Sequence, residues 1–184
     1  MGTKALLLDR DGVLNKMIRQ NGKWYSPHRL SEFELYSGMG EAVRKAKSRG
    51  FLVMVVTNQP DIRRGFMKPE ELEEMHSFMK KQLSLDDIFV CAHDNADNCD
   101  CRKPKPGLVR AAIDKWNIDP DRSFVIGDRW KDIAAGHTCG CKTVLVRGPE
   151  TENEAFWSKS DIRYDRFAEN LTEAVEKMEQ WTAE

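Results

Sequence analysis

Five short apolar runs punctuate the chain: Ala5–Leu8, Phe51–Val56, Ile88–Ala92, Ser123–Ile126 and Thr143–Val146. A continuous apolar run bounded by turn residues, without polar alternation, is what a strand buried on both faces requires. Between the runs, apolar residues recur every three to four positions, the spacing of one helix face. This predicts helices over Glu41–Arg49 (Ala42, Val43, Ala46), Pro69–Leu83 (Leu72, Met75, Phe78, Met79, Leu83), Leu108–Asn117 (Val109, Ala112, Ile113, Trp116) and Trp130–Thr138. A terminal helix over about Ala168–Trp181 would present Leu171, Val175 and Met178 on one side. Gly50 stops the first helix, and Pro69 with Glu70 and Glu71 opens the second in favour of its dipole. His76 reads as a surface or packing residue. Lys16–Pro27 reads as a polar loop, Leu30–Tyr36 as extended chain and Gly148–Asn153 as a loop. Strands alternating with helices make an α/β protein: a Rossmann-like, three-layer fold with a central parallel sheet and right-handed crossovers.

Composition narrows the function classes. A length of 184 residues suits a single domain over 1–184. Lys plus Arg is 29 against 30 Asp plus Glu, a net charge of −1, which gives no reason to expect nucleic acid or a membrane as partner. No apolar stretch approaches a membrane span, and the N-terminus enters strand pattern without a basic-then-apolar targeting segment. A soluble, cytoplasmic monomer is expected. There are five cysteines, closely spaced, and in such a chain they favour metal ligation over disulfides.

The chemistry gathers where the strands end. Ala5–Leu8 runs into Asp9-Arg10-Asp11-Gly12, Phe51–Val56 into Thr57-Asn58-Gln59, and Ser123–Ile126 into Gly127-Asp128. Carboxylates at the end of a buried strand cost stability unless they are paired or bind a metal. The bland alternative for the first of these is a solvated Asp-Gly turn. In a parallel sheet, however, all three ends lie along one edge, where open α/β sheets bind ligands. Acidic oxygens converging on one point suit Mg²⁺, and Mg²⁺ suits a phosphate substrate. Asp9 could attack phosphorus, Asp11 could protonate the leaving oxygen and then activate water, and Thr57 and Asn58 could donate to phosphoryl oxygens. Lys103, in a loop stiffened by Pro104 and Pro106, could neutralise the transferring group. Cys91-x-His93 and Cys99-x-Cys101 together offer a Cys₃His set that suits closed, structural zinc; unmetallated thiols are the alternative. Cys139 and Cys141 read as packing residues.

These motifs, in this order, resemble the haloacid-dehalogenase (HAD) phosphatase superfamily, in its capless histidinol-phosphate and heptose-bisphosphate phosphatase branch. The resemblance spans about Lys4 to Val146 and is carried by Asp9/Asp11/Gly12, Thr57-Asn58-Gln59, Lys103 within Cys-Asp-Cys-Arg-Lys-Pro, and Gly127-Asp128 with Asp132 following. It implies a capless fold with an inserted zinc loop at 91–101. It implies Asp9 as nucleophile, Asp11 as general acid/base, and Thr57 and Lys103 at the phosphoryl group. Mg²⁺ would be held by Asp9, the Asp11 carbonyl and Asp128, and Zn²⁺ by Cys91, His93, Cys99 and Cys101. Candidates for substrate contact are Arg19, Asn58, Gln59, Arg64, Arg102 and Arg129. Asp132 is either a support for the site or an ordinary helix residue. Thr57-Asn58-Gln59 followed by Arg64-Gly65 is similar to the heptose type, so the expected substrate is a sugar bisphosphate such as D-glycero-D-manno-heptose 1,7-bisphosphate, losing its 7-phosphate. Histidinol phosphate or another small sugar phosphate is the alternative. A non-catalytic binding domain would require loss of Asp9, Asp11 or Lys103, and all three are present.

Overall fold

The first strand, β1 (Ala5–Leu8), is wholly buried and sits in the middle of the sheet. The structure, a computed structural model, describes residues 2–149, 151 and 163–182. Residues 150 and 152–153, expected as part of the Gly148–Asn153 loop, lie outside these. After β1 come a hairpin of β2 (Ile18–Gln20) and β3 (Lys23–Tyr25), α1 (Met39–Ser48), β4 (Leu52–Asn58), α2 (Pro69–Leu83) and β5 (Asp87–Cys91). The chain continues through α3 (Gly107–Trp116), β6 (Phe124–Gly127), α4 (Trp130–Thr138), β7 (Lys142–Val146), β8 (Arg166–Ala168) and α5 (Leu171–Thr182). The main sheet has six strands in the order β5-β4-β1-β6-β7-β8, every neighbouring pair parallel.

Alternate strand residues feed opposite faces, so both faces are apolar and both are covered. Leu6, Leu8, Val53, Val55, Phe124 and Ile126 pack against α1, α2 and α5. Ala5, Leu7, Met54, Val56 and Val125 pack against α3 and part of α4. This is the three-layer arrangement expected. No helix among the described residues is long and apolar enough to cross a membrane.

Four local expectations are corrected. Lys16–Pro27 is not an open loop but carries the β2–β3 hairpin, turned by Asn21 and Gly22 in the left-handed region. Leu30–Glu32 forms a single 3₁₀ turn rather than extended chain. Arg166–Ala168 is a sixth sheet strand, and the last helix starts at Leu171. On α2, Phe78 is 36% exposed whereas His76 is 5% exposed, because His76 is drawn inward by a polar partner described below.

Candidate active site

β4, β1 and β6 are neighbours, so Thr57, Asp9 and Asp128 emerge side by side at their carboxyl ends. The chain leaves β1 with Asp9 N–H still donating to the Ile126 carbonyl at 2.9 Å. It then turns sharply through Gly12, whose φ is +89°. A side chain on Gly12 would stand 2.4 Å from Asp128 Oδ2, and one on Gly148 equally close. Both positions need glycine for Asp128 to fit.

Lys103 reaches this point from the loop before α3 and is 3% exposed. Its Nζ lies 2.9 Å from Asp9 Oδ1 and 2.5 Å from Asp132 Oδ1, and donates to the Val56 carbonyl at 2.6 Å. Burial alone would lower the Lys103 pKa; Asp132 and Asp9 outweigh it and raise the value to about 12. Burial pushes Asp132 up to about 6 against the opposing pull of Lys103, so both are charged at neutral pH. Asp132 also accepts from the Arg129 backbone N–H at 3.2 Å, at the start of α4. Its role in the site was undervalued by sequence, although its position four residues after Asp128 on a short helix was the available signal.

Asp11 lines the same cavity but has its own partners. Its Oδ1 accepts from Arg10 Nε at 3.1 Å and from Asn15 Nδ2 at 2.9 Å; its Oδ2 accepts from Arg10 Nη2 and Gln59 Nε2 at 2.9 and 2.8 Å. Burial would raise the Asp11 pKa, but Arg10 and these hydrogen bonds bring it below the usual carboxylate range.

The substrate-contact candidates divide. Arg19 and Arg129 line the cavity over the sheet edge, a space of about 1170 Å³ walled by the β2–β3 hairpin. Arg129 Nε stands 3.9 Å from Asp128 Oδ1. Arg64 and Arg102 also line the cavity, yet each is bound elsewhere. Arg64 grips both oxygens of Asp94 at 2.9 and 2.8 Å, and Arg102 bonds Asn95 Oδ1 and the His93 carbonyl. Asn58 is spent on the backbone of Lys103, donating to its carbonyl and accepting from its N–H, both at 3.1 Å. Gln59 donates to Thr57 Oγ1 at 2.9 Å as well as to Asp11. These two side chains tie the site's segments together, and Asn58 also lines the cavity.

Two clusters could hold metal ions. Asp9, Asp128 and Asp132 each offer an oxygen, all within 4.8 Å of one another. Cys91, His93, Cys99 and Cys101 meet the same criterion. In the second, Cys91 Sγ is 3.6 Å from Cys99 Sγ and from His93 Nδ1, and Cys101 Sγ is 3.4 Å from Cys99 Sγ and 3.3 Å from His93 Nδ1. Cys91 Sγ and Cys101 Sγ stand closer, at 3.0 Å. A tetrahedron of sulfurs bonded at about 2.3 Å has edges of about 3.8 Å, so the four atoms gather about one small-ion site with that edge compressed.

A family model described as HAD-hydrolase-like matches residues 100–174. Fold, site and match together make the protein an HAD-type hydrolase, and its relatives are phosphatases. It is 38% identical over 175 residues to the D-glycero-beta-D-manno-heptose-1,7-bisphosphate 7-phosphatase of Haemophilus ducreyi, covering 88% of this chain and 93% of that one. It is 33% identical to the corresponding alpha-anomer enzyme of Campylobacter jejuni, over 85% and 90% of the two chains. Among solved structures, the D,D-heptose 1,7-bisphosphate phosphatase of B. bronchiseptica, complexed with magnesium and phosphate, superposes with a TM-score of 0.85 at 27% identity over 97% of this chain and 99% of that chain. The chain therefore belongs to the heptose-1,7-bisphosphate 7-phosphatase family of HAD phosphatases, the branch its motifs resemble.

Proposed function

We propose that the protein removes the 7-phosphate of D-glycero-D-manno-heptose 1,7-bisphosphate through an aspartyl-phosphate intermediate, working as one domain and as a monomer in the cytoplasm. The observation that carries the reading is the convergence of Asp9, Lys103 and Thr57, from separate segments, on the floor of a cavity rimmed by Arg19, Arg29, Arg129 and Lys131, with Asp128 buried within reach of Asp9 and Asp132. The names of the relatives supply the substrate.

The acidic site fits a divalent cation. Four buried carboxylates, Asp9, Asp11, Asp128 and Asp132, face two buried cations, Arg10 and Lys103. That leaves two negative charges in excess, which would repel a phosphate. Hard carboxylate oxygens suit Mg²⁺, held by Asp9, the Asp11 carbonyl and Asp128. When bound, the ion supplies charge neutralisation and polarises a phosphoryl oxygen. Zn²⁺ is proposed for the Cys₃His cluster, where four protein ligands leave no open position and the role is to hold the loop bearing Arg102 and Lys103.

Asp9 is the nucleophile, with Lys103 Nζ 2.9 Å from its Oδ1. Its oxygen bonds to phosphorus as the sugar oxygen leaves. Thr57, whose Oγ1 accepts from Gln59, keeps its own hydroxyl proton to donate to a phosphoryl oxygen. Asp11 takes the proton-transfer role. The approaching phosphate dianion raises its pKa by like-charge repulsion, so it can carry a proton to the leaving oxygen. As a carboxylate it then takes a proton from the water that cleaves the acyl phosphate, which restores Asp9. Phosphate release from an aryl phosphate, followed with and without Mg²⁺, tests the reading. Release only with Mg²⁺ is expected, and silence across a panel of phosphate esters would refute it.

A further inference from the structure

Arg10 and His76 form a fully buried polar pair that the reaction as described does not use. Arg10 lies between the two aspartates, is 0% exposed and has its guanidinium 5.7 Å from the Phe33 ring centre. Three of its hydrogen bonds go to Asp11, one to Gln59 Oε1 at 3.0 Å, and Nη1 lies 3.2 Å from His76 Nε2. Arginine has no acceptor, so His76 Nε2 must accept and the imidazole is neutral with its proton on Nδ1. His76 comes from α2, which makes no other polar contact with this group among the hydrogen bonds described.

We propose that His76 is a positioning residue for proton transfer, acting through Arg10 to fix the Asp11 carboxylate. A guanidinium bonded on one side to Asp11 and Gln59 can still swing as a rigid plane about its Cδ–Nε bond and slide along the carboxylate. His76 holds the opposite Nη and the Phe33 ring holds its plane, so the orientation of Asp11 is set from behind by a residue that never touches substrate. Proton transfer demands hydrogen-bond reach and alignment, and small misplacements are costly. The proposal rests on the assignment of Asp11 as proton carrier.

The test compares kcat/KM, which reports steps up to departure of the leaving group, on two substrates. A sugar phosphate needs its leaving oxygen protonated, whereas p-nitrophenyl phosphate has a leaving group stable without a proton. His76→Leu is expected to lower kcat/KM about tenfold on the sugar phosphate and less than about threefold on the aryl ester, the loss falling on kcat. His76→Gln, which can accept from Arg10, should restore most of it. Asp11→Asn should show a larger loss with the same substrate bias, and His76→Leu added to Asp11→Asn should cost nothing further. Thermal unfolding of each variant establishes that it is folded. Equal losses on both substrates, or additive losses in the double variant, would overturn the proposal for His76. If Asp11→Asn itself lacks the bias, the assignment of Asp11 fails instead.

Discussion

Lys103 holds two carboxylates on one ammonium, and that arrangement predicts what single substitutions do. In Asp9→Asn the amide oxygen can still accept from Lys103, and Asp132 keeps its ion pair at 2.5 Å. The fold should persist while turnover falls by more than about a thousandfold, since an amide is a poor nucleophile. Circular dichroism beside a phosphate-release assay checks both halves, and retained turnover would reassign the nucleophile. His76 makes a separate prediction. Burial, then the Arg10 charge, lowers its pKa from 6.5 to about 3. The unfolded chain therefore takes up this proton first as pH falls. The stability it contributes is full above about pH 6.5 and drains toward pH 3, about 2 kcal/mol of it between pH 7 and pH 5. His76→Leu leaves Arg10 Nη1 without its acceptor, at about 1–3 kcal/mol, but removes the titration. Urea unfolding should show the advantage of the native chain over the variant shrinking by about 2 kcal/mol from pH 7 to pH 5; a constant gap would contradict it. At this scale Asp9, Asp11, Thr57 and Asp128 stood out in the sequence because buried strands ending in polar groups are rare, and Lys103 because it follows the Cys/His cluster, between Cys101 and Pro104. His76 did not, since it sits at helical spacing beside Leu72, Met75 and Met79, where a histidine can pack or protrude.

Two elements shape the mouth of the cavity, and their readability differed for local reasons. Strands buried on both faces announce themselves as apolar runs, so β1 begins and ends where the pattern places it. β8, with only three residues and an arginine first, carries no such signal. The hairpin did carry one: Asn21-Gly22, with φ of 51° and 74°, is the pair a tight two-residue turn demands. It was masked by the polarity of its strands, whose side chains are almost all exposed. The Cys/His loop is the opposite case, clear in sequence but not in its attachments. Arg64 clamps Asp94, and Arg63 bonds Asp97 Oδ1 at 3.0 Å, so the loop after β4 is strapped to the metal-ligating loop. Only Cys91 among the four ligands is buried, which leaves ion and straps to order the segment. Elemental analysis should find one zinc per chain. Chelation should expose 92–100 to proteases and lower aryl-phosphate turnover, because the next residues are Arg102 and Lys103. A chelated protein with the native cleavage pattern and full turnover would remove zinc from the account.

For the whole molecule, the order β5-β4-β1-β6-β7-β8 puts the three strands that end in reactive groups next to one another. Strand–helix alternation implied that fold, but the neighbour relations that make one site from distant segments come only from the assembled sheet. The same assembly bears on the substrate. In the proposed reaction the reactive floor takes one phosphate. Arg64 and Arg102, two of the candidates for substrate contact, are bonded to Asp94, Asn95 and the His93 carbonyl. A second phosphate is expected to draw on Arg19, set over Trp24 on the hairpin that walls the cavity. Arg19 sits on the hairpin wall, so its binding energy is available only to a substrate that reaches that wall of the cavity. Substrates differ by their stabilisation in the transition state, and a missing contact with a charged group costs about 1.5–3 kcal/mol, or about 10–100-fold. Both D-glycero-D-manno-heptose 1,7-bisphosphate anomers should therefore exceed histidinol phosphate in kcat/KM by about that factor or more. Fructose 1,6-bisphosphate, with two phosphates on a different frame, should fall between. Arg19→Ala should narrow the gap by raising KM for the bisphosphates while sparing histidinol phosphate. Parallel kinetics on the four compounds decide it: histidinol phosphate equal to the heptose bisphosphates, or an Arg19→Ala variant that weakens all four alike, would mean that the rim does not read a second phosphate.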